Sequence, residues 1–183
     1  MRVVSGSRKG KPLFSVPGDT TRPMLGRIKT ALFDTIRPLL AGAQVLDCFA
    51  GTGQLGIEAL SNGGSSCVFL ESGSEAVATI KKNLETTNLM EQSQLRHTDV
   101  FTYLRNCSRS FDVIFADPPQ FKNLWAELVQ TIAERPQLLS DDGLVIVKLD
   151  PEEYEPLSLT TLEEVQQRRY GNSLLVFFRR QGR

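Results

Sequence analysis

The stretch Val45-Leu46-Asp47-Cys48-Phe49-Ala50-Gly51-Thr52-Gly53-Gln54-Leu55-Gly56 decides the fold of this 183-residue chain. Its apolar start predicts the end of a buried strand, and Asp47 stands where that strand should emerge. The small residues that follow predict a turn, and from Gln54 onward apolar residues recur at helical spacing. A strand that leads through a glycine turn into a helix is typical of a phosphate- or nucleoside-binding α/β crossover.

The rest of the body alternates between strand and helix patterns. We predict strands near 44–48, 66–71, 92–97, 112–116 and 143–148, and helices near 54–62, 73–87, 99–106 and 123–135. This alternation indicates an α/β fold with right-handed crossovers and a mostly parallel sheet covered on both faces. The last two extended runs, 163–169 and 173–180, flank Tyr170-Gly171-Asn172 and predict an antiparallel hairpin at one edge.

The N-terminal segment has a different character. Residues 2–16 predict a small basic β-hairpin, and the turn residues after it separate an arm, 1–22, from the α/β domain, 23–183. A helix is expected from Pro23, capped by Thr21 or Arg22 and ended by Arg37-Pro38. Its apolar stripe should face the core, with Arg27 and Lys29 pointing outward.

The net charge of zero hides an asymmetry between the arm and the body. Residues 1–37 carry a net charge of +6 and the remainder −6. A basic arm on an acidic body favours contact with a polyanion, although a merely solvated face stays an equal alternative. No apolar run approaches the length of a membrane span, and no signal sequence opens the chain, so we expect a cytoplasmic protein. Cys48, Cys67 and Cys107 lack metal-ligand spacing and are expected to be reduced core thiols.

Acidic residues stand just past four successive predicted strands. They are Asp47, Glu71, Asp99 and Asp117. Ligands of open α/β sheets bind outside the carboxyl ends of the strands, where four carboxylates would repel a phosphate. The turn also lacks the Gly-Lys-Ser/Thr of a phosphate loop. The pattern therefore favours an adenosine with a cationic tail, as in S-adenosylmethionine, and we expect no metal.

Each of the first three carboxylates has a chemical task in this interpretation. Asp47 would hold the amino-acid ammonium, Glu71 the ribose hydroxyls, and Asp99 the exocyclic amine of adenine, beside the backbone N–H of Val100. Gly51 and Gly53 would let the backbone approach the ligand. The alternative is that these carboxylates only cap the helices that follow. The predicted cofactor-binding residues are Asp47, Phe49, Ala50, Gly51, Gly53, Glu71, Ser72, Asp99 and Val100.

Asp117-Pro118-Pro119 follows the fourth strand and would form the acceptor side. Proline lacks an N–H, so this loop offers a carboxylate and carbonyl oxygens, which are acceptors suited to an amino group. The exocyclic amine of a base is a poor nucleophile because its lone pair is delocalised into the ring. Asp117 and the carbonyl of Pro118 can draw its hydrogens out of the ring plane, so that positioning supplies most of the rate. The alternative is a proline-stiffened strand exit.

These motifs resemble those of class I, Rossmann-like methyltransferases that modify exocyclic amines. Residues 2–13, the Thr21-Arg22-Pro23 segment and residues 27–33 are similar to the ribosomal RNA small subunit methyltransferase D family, and the resemblance extends to the final hairpin. It implies a seven-stranded sheet of order 3-2-1-4-5-7-6. It also implies transfer from S-adenosylmethionine, leaving S-adenosylhomocysteine, to the N2 amino group of a guanine in small-subunit (16S) ribosomal RNA. The arm would then grip RNA through Arg2, Arg8, Lys9, Lys11, Arg22 and Arg27.

The chain departs from the family pattern at two places. Gln120 follows Asp-Pro-Pro where the family has an aromatic residue, so Phe121 is the candidate for stacking on the target base. Met24 and Gly26 replace polar residues of the family. Trp125 is interpreted as a core residue, and His97 as structural or adjacent to the cofactor, because no strong base is required.

Two alternatives remain open from the sequence. The same motifs would serve adenine or cytosine amines in DNA or other RNA, since all present an amino group to Asp-Pro-Pro. A non-catalytic RNA-binding assembly factor would retain the cofactor fold. We expect a monomer that acts on ribosomal RNA, either naked or within the assembled small subunit.

Overall fold

A seven-stranded sheet of order β3-β2-β1-β4-β5-β7-β6 forms the centre of the computed structural model, which describes residues 1–18 and 23–182. The strands are β1 Gln44–Cys48, β2 Ser66–Glu71, β3 Ser93–His97, β4 Phe111–Ala116, β5 Leu139–Leu149, β6 Leu162–Tyr170 and β7 Ser173–Arg180. The first five pair in parallel and the last two antiparallel. The predicted fold and strand order are confirmed.

Helices cover both faces of this sheet. They are α1 Gly26–Leu40, α2 Gln54–Ser61, α3 Ser74–Thr87, α4 Val100–Asn106 and α5 Leu124–Glu134. Side chains alternate along each strand, so the core is divided into two layers. Val45, Val113 and Phe115 pack with α1, α2 and α3, whereas Leu46 and Ile114 pack with α4 and α5.

Helix α1 differs from its predicted bounds at both ends. It begins at Gly26, after Leu25 as N-cap, so Pro23 lies before the helix and not at its first position. It also continues through Pro38 to Leu40, because the proline occupies the last turn and the fully buried Leu40 anchors the end in the core. The predicted caps Thr21 and Arg22 lie outside the described residues.

The described part of the N-terminal arm, residues 1–18, is a minimal hairpin without regular strands. One antiparallel bridge joins Arg2 to Pro12, and a 3-10 turn occupies Gly6–Arg8. A longer ladder cannot form here because Pro12 has no N–H and the N–H of Val4 donates to Glu58 of α2 (2.7 Å). Val3 and Leu13 join the core layer under α1 and α2. The domain boundary predicted after residue 22 adjoins residues outside the described ranges and stays a prediction.

Candidate active site

A cleft of about 530 Å³ opens at the carboxyl ends of β1, β2, β4 and β5. This volume lies within the range of small-molecule sites, and the position is where open α/β sheets bind ligands. Three of the four predicted carboxylates reach it. Its lining residues are Pro23, Asp47, Phe49, Ala50, Gly51, Thr52, Gln54, Leu55, Glu71, Ser72, Asp117, Pro118, Pro119, Gln120, Lys122 and Lys148.

The turn between β1 and α2 forms the floor of the cleft. Gly51 and Gly53 have φ of 59° and 81°, in the left-handed region that favours glycine. Apart from its chain neighbours, no atom lies within 4 Å of a Cβ placed on Gly51, which lines the cleft, and ligand approach to this backbone stays a prediction. Gly53 does not line the cleft; it starts α2, and a Cβ there would approach Ile80 to 3.3 Å. Gly53 thus shapes the turn as the N-cap of α2, and cofactor binding by Gly53 stays a prediction.

Asp47 lies buried at the inner wall. One of its carboxylate oxygens accepts from the N–H of Gly56 (2.9 Å), near the start of α2. Burial raises the pKa of Asp47 well above its ordinary value. The Gly56 hydrogen bond opposes that rise, whereas the nearby carboxylates of Asp117 and Glu71 add to it. The inner wall thus favours a bound cation.

Glu71 organises the loops around it. Its Oε2 accepts from the N–H of Gly51 (2.8 Å), and its Oε1 accepts from the N–H groups of Ser72 (2.9 Å) and Gly73 (2.8 Å). All three donors precede the helices, since α2 begins at Gln54 and α3 at Ser74, so Glu71 fixes the two loops and the helix-capping alternative is not what these bonds show. Glu71 also lines the cleft, and a carboxylate has about four lone-pair sites, so it can accept from a ligand as well.

Asp99 and Val100 do not line the cleft. Asp99 is the N-cap of α4, where its side chain accepts from the N–H of Thr102 (2.9 Å), and Val100 is the buried first residue of that helix. The geometry supports the capping alternative for Asp99, and adenine recognition by these two residues stays a prediction. His97 contacts the carbonyl of Ser72 (2.9 Å) and so ties the end of β3 to the end of β2.

The acceptor side of the cleft contains a lysine that was not among the residues predicted from the sequence. Lys148 of β5 pairs with Asp117 at 3.1 Å. Burial raises the pKa of Asp117, and the charge and hydrogen bond of Lys148 oppose that rise. The position of Lys148 inside the apolar run 144–149 is the sequence feature that could have indicated a buried, functional lysine. Pro118, Pro119 and Gln120 continue the wall beyond Asp117.

Phe121 lies outside the cleft, with 64% of its surface exposed. Its φ is 59°, and its N–H donates to Glu153 (2.6 Å) at the end of the 3-10 turn Pro151–Glu153. The structure thus does not bring Phe121 to the acceptor side, and stacking on a base would require this loop to shift. Trp125 is buried and stacks on Tyr154, which agrees with its interpretation as a core residue.

The basic residues assigned to RNA differ in their exposure. Arg2, Lys9, Lys11 and Arg27 are exposed. Arg8 is half-buried, and its Nε donates to the carbonyl of Thr87 at the end of α3 (2.7 Å), so part of its guanidinium is committed to the fold. Arg22 lies outside the described residues.

The outward orientation expected for Lys29 is wrong. Its ammonium is buried and pairs with Glu58 of α2 at 3.2 Å, and it also donates to the carbonyl of Arg2 (2.9 Å). The same carboxylate accepts from the N–H of Val4. This cluster of Lys29, Glu58 and the arm backbone fastens the arm to α1 and α2.

A second set of contacts, made by Asn83, holds the arm beside the cleft. The buried Asn83 of α3 accepts from the N–H of Phe14 (2.7 Å) and donates to the carbonyls of Phe14 (3.1 Å) and Thr52 (2.8 Å). Thr52 belongs to the glycine turn. Asn83 therefore joins the arm to the floor of the cleft by hydrogen bonds.

Met24, one of the residues that depart from the family pattern, is buried in the core layer with Val3.

The cysteines and the possible metal ligands can be located in the described part of the chain. Cys48, Cys67 and Cys107 are buried free thiols. Within residues 1–18 and 23–182, no group of three His, Cys, Asp or Glu side chains could hold a metal ion. In the same ranges, no helix is long and apolar enough to cross a bilayer.

Comparisons with known proteins agree with this architecture. A family model described as "Conserved hypothetical protein 95" matches residues 1–179. The Bacillus subtilis (strain 168) protein named "Putative rRNA methyltransferase YlbH" is 35% identical over 185 residues, covering 100% of both chains. Ribosomal RNA small subunit methyltransferase D of Haemophilus influenzae is 30% identical over 94% of each chain.

A solved structure extends the likeness to three dimensions. "Putative methyltransferase yhhF" from Escherichia coli superposes with a TM-score of 0.88 at 25% identity, covering 99% of this chain and 98% of that one. Fold, motifs and sequence agree over nearly the whole length. The chain belongs to the conserved hypothetical protein 95 family, the ribosomal RNA small subunit methyltransferase D family that its motifs resemble.

Proposed function

We propose that the chain is an S-adenosylmethionine-dependent ribosomal RNA methyltransferase that acts on the N2 amino group of a guanine in the small-subunit RNA. The observation that carries the proposal is the cleft itself. It places Asp47 and Glu71 on one side and the Asp117-Pro118 acceptor pair on the other. The names of the relatives support ribosomal RNA as the substrate.

The donor set of the cleft fits a cationic nucleoside. Buried carboxylates attract an ammonium or sulfonium, whereas they would repel a phosphate. Asp47 would hold the ammonium, Glu71 the ribose hydroxyls, and the open backbone at Gly51 would lie against the ligand. When bound there, S-adenosylmethionine would supply an electrophilic methyl group on a sulfonium.

The acceptor residues would act by orientation. Oδ2 of Asp117 would accept one hydrogen of the target amine and the carbonyl of Pro118 the other, which localises the lone pair of the nitrogen. Pro119 stiffens the loop that carries both acceptors. The excess proton of the methylated amine would pass to solvent, so no strong base is needed. The target base must leave its stack first, at a cost of a few kcal/mol, and Phe121 would stack on it after a loop shift.

The exposed cations of the arm would contact RNA phosphates. Deleting the arm would also remove Val3 and Leu13 from the core, so neutralising Lys9 and Lys11 is the better test. Each lost phosphate contact should reduce the slope of log affinity against log salt by about one. Unchanged affinity and slope in the double variant K9Q/K11Q would remove the arm from the RNA interface.

The decisive experiment uses Asp117→Ala and mass-spectrometric mapping of the modified nucleotide. D117A should bind S-adenosylhomocysteine as the wild type does but lose methyl transfer to undermethylated small subunits. Asp34→Ala, an exposed residue of α1, is the matched control and should keep full activity. Product on N2 of guanine supports the proposal, whereas methylated adenine or cytosine supports the rival substrates.

A non-catalytic assembly factor is the second candidate, and the exposed position of Phe121 is the observation that favours it. Wild-type protein that binds ribosomal RNA and the cofactor product but transfers no methyl group would establish that alternative. We further propose that the protein is a monomer, which sedimentation of the purified protein can test, and that it is cytoplasmic, which fractionation of cells can test.

A further inference from the structure

Lys148 and Asp117 occupy equivalent positions on neighbouring strands. Ala116 of β4 pairs with Val147 of β5, so the next residue on each strand projects to the same face of the sheet. That face also carries Asp47 and forms the inner side of the cleft. Lys148 Nζ lies 3.1 Å from Oδ1 of Asp117, and their side chains are only 10% and 20% exposed.

The pairing leaves the carboxylate asymmetric. Oδ1 of Asp117 is occupied by the ammonium, and no hydrogen bond from the described residues reaches Oδ2. Asp117 is also the one described partner of the Lys148 ammonium. A buried lysine with a single carboxylate partner is costly unless the pair has good geometry, so its presence calls for a role at the site.

We propose that Lys148 is a positioning residue for methyl transfer: it holds Oδ1 of Asp117 so that Oδ2 faces the amine of the acceptor base. This inference rests on the proposed function. Lys148 acts through Asp117 and needs no contact with the transferred methyl group. Its charge also opposes the rise in the pKa of Asp117 that burial causes, which favours the ionised carboxylate, an acceptor-only group, for the amine.

Charged groups on every neighbouring element bear on Asp117. Lys148 of β5 stabilises its ionised form, whereas Asp47 of β1 and Glu71 of β2 are like charges across the cleft. Lys122 lines the same wall from the loop before α5. Removing Lys148 should therefore raise the pKa of Asp117, so the acid limb of the transfer rate should move to higher pH.

The test compares Lys148→Met and Lys148→Arg under single-turnover conditions. K148M should transfer methyl groups about 10- to 100-fold more slowly at neutral pH, the range expected for a lost charge-assisted hydrogen bond. The acid limb of its pH–rate profile should move to higher pH, while its affinity for S-adenosylhomocysteine stays unchanged. K148R keeps the charge and should recover most of the rate. A K148M rate and pH profile equal to those of the wild type would overturn the proposal.

A double-mutant cycle with Asp117→Asn tests whether Lys148 affects the rate of methyl transfer through Asp117. If Lys148 acts through Asp117, adding K148M to D117N should cost little further rate. An equal loss in both backgrounds would show that Lys148 contacts the substrate independently and would also overturn the proposal.

Carbon-13 NMR of labelled aspartate tests the same point without turnover. The Asp117 resonance should titrate at higher pH in K148M than in the wild type. Lys81→Met removes one exposed charge on α3, outside the cleft, and is the charge-matched control that should leave the titration in place. Together with the activity of the wild type, this measurement distinguishes a failure of the proposed function from a failure of the role of Lys148. A wild type that transfers no methyl group would refute the proposed function and, with it, the role of Lys148 in that transfer. An active wild type whose Asp117 titration is the same in K148M would refute the role of Lys148 alone.

Discussion

Replacing Lys29 by Met should destabilise the protein strongly, because it would leave Glu58 as an uncompensated buried charge. The two side chains are 1% and 0% exposed and lie 3.2 Å apart. Without Lys29, the remaining partners of the carboxylate are the N–H of Val4 (2.7 Å) and a long contact from Ser5 (3.5 Å). Breaking a buried pair in this way costs about 3–5 kcal/mol. For a chain of this size, each kcal/mol lowers Tm by about 2–4 °C, so we expect a fall of about 6–20 °C.

Urea unfolding, with m unchanged, measures the loss in the free energy of unfolding in K29M. A second ion pair of α1 supplies the control. Arg37 and Asp34 of α1 also pair, at 2.7 Å, but they are 54% and 58% exposed. R37M should therefore cost no more than about 1 kcal/mol. In K29M/E58Q the neutral amide keeps an acceptor for Val4, so much of the stability should return. The reasoning is refuted if K29M loses no more stability than R37M.

The pH dependence gives a second check on the same pair. Burial raises the pKa of Glu58, and Lys29 opposes that rise. A carboxyl with a raised folded pKa contributes stability at low pH that is lost as pH rises through that pKa. Without Lys29 this pKa rises further. The instability of K29M should therefore shrink on acidification, and an equal loss at neutral and acid pH would contradict the assignment.

Substitutions at Asp47, Phe121 and Gly56 test the cleft, the proposed base contact and the core, and two matched variants serve as controls. Burial raises the pKa of Asp47, so Asp47→Asn should raise Tm at neutral pH while weakening binding of the methyl donor in calorimetry; a lower Tm would refute this. Phe121→Ala should raise KM for RNA about 5- to 150-fold with little change in cofactor affinity, since stacking contributes about 1–3 kcal/mol, and Phe121→Trp should retain binding. Gly56→Ala would place a Cβ 2.3 Å from the ring of Phe69 and should cost about 1–3 kcal/mol, whereas Gly26→Ala, with no atom within 4 Å, should not destabilise in urea.

The order of the elements was predictable from the sequence because strand and helix periodicities alternate cleanly. Right-handed crossovers then leave few topologies, and the family resemblance selected the observed strand order. The glycine turn and Asp117 were found for the same reason, since ligands bind at the ends of parallel strands. Local pattern and general topology were sufficient for these features.

Pairing between distant side chains was not predictable in this way. Lys29 stands three, four and seven residues before Leu32, Phe33 and Ile36, so helical spacing alone places it on the buried stripe. Its burial could have been inferred, but its partner Glu58 lies on another helix. The role of Lys148 likewise depends on the register of β4 and β5, which no local pattern encodes.

The distribution of charge in the cleft explains how a site rich in carboxylates could select its ligand. Lys148 compensates Asp117, and three backbone N–H groups bind Glu71, but among the described residues only the N–H of Gly56 reaches the carboxylate of Asp47. A bound ammonium beside Asp47 would stabilise its ionised form and lower the raised pKa. Binding of a cationic donor should therefore release protons near the pKa of Asp47, and affinity should rise with pH through that range. Calorimetry in buffers of different ionisation enthalpy measures this release. Asp47→Asn should abolish it, and proton release that persists in D47N would assign the coupling to another group.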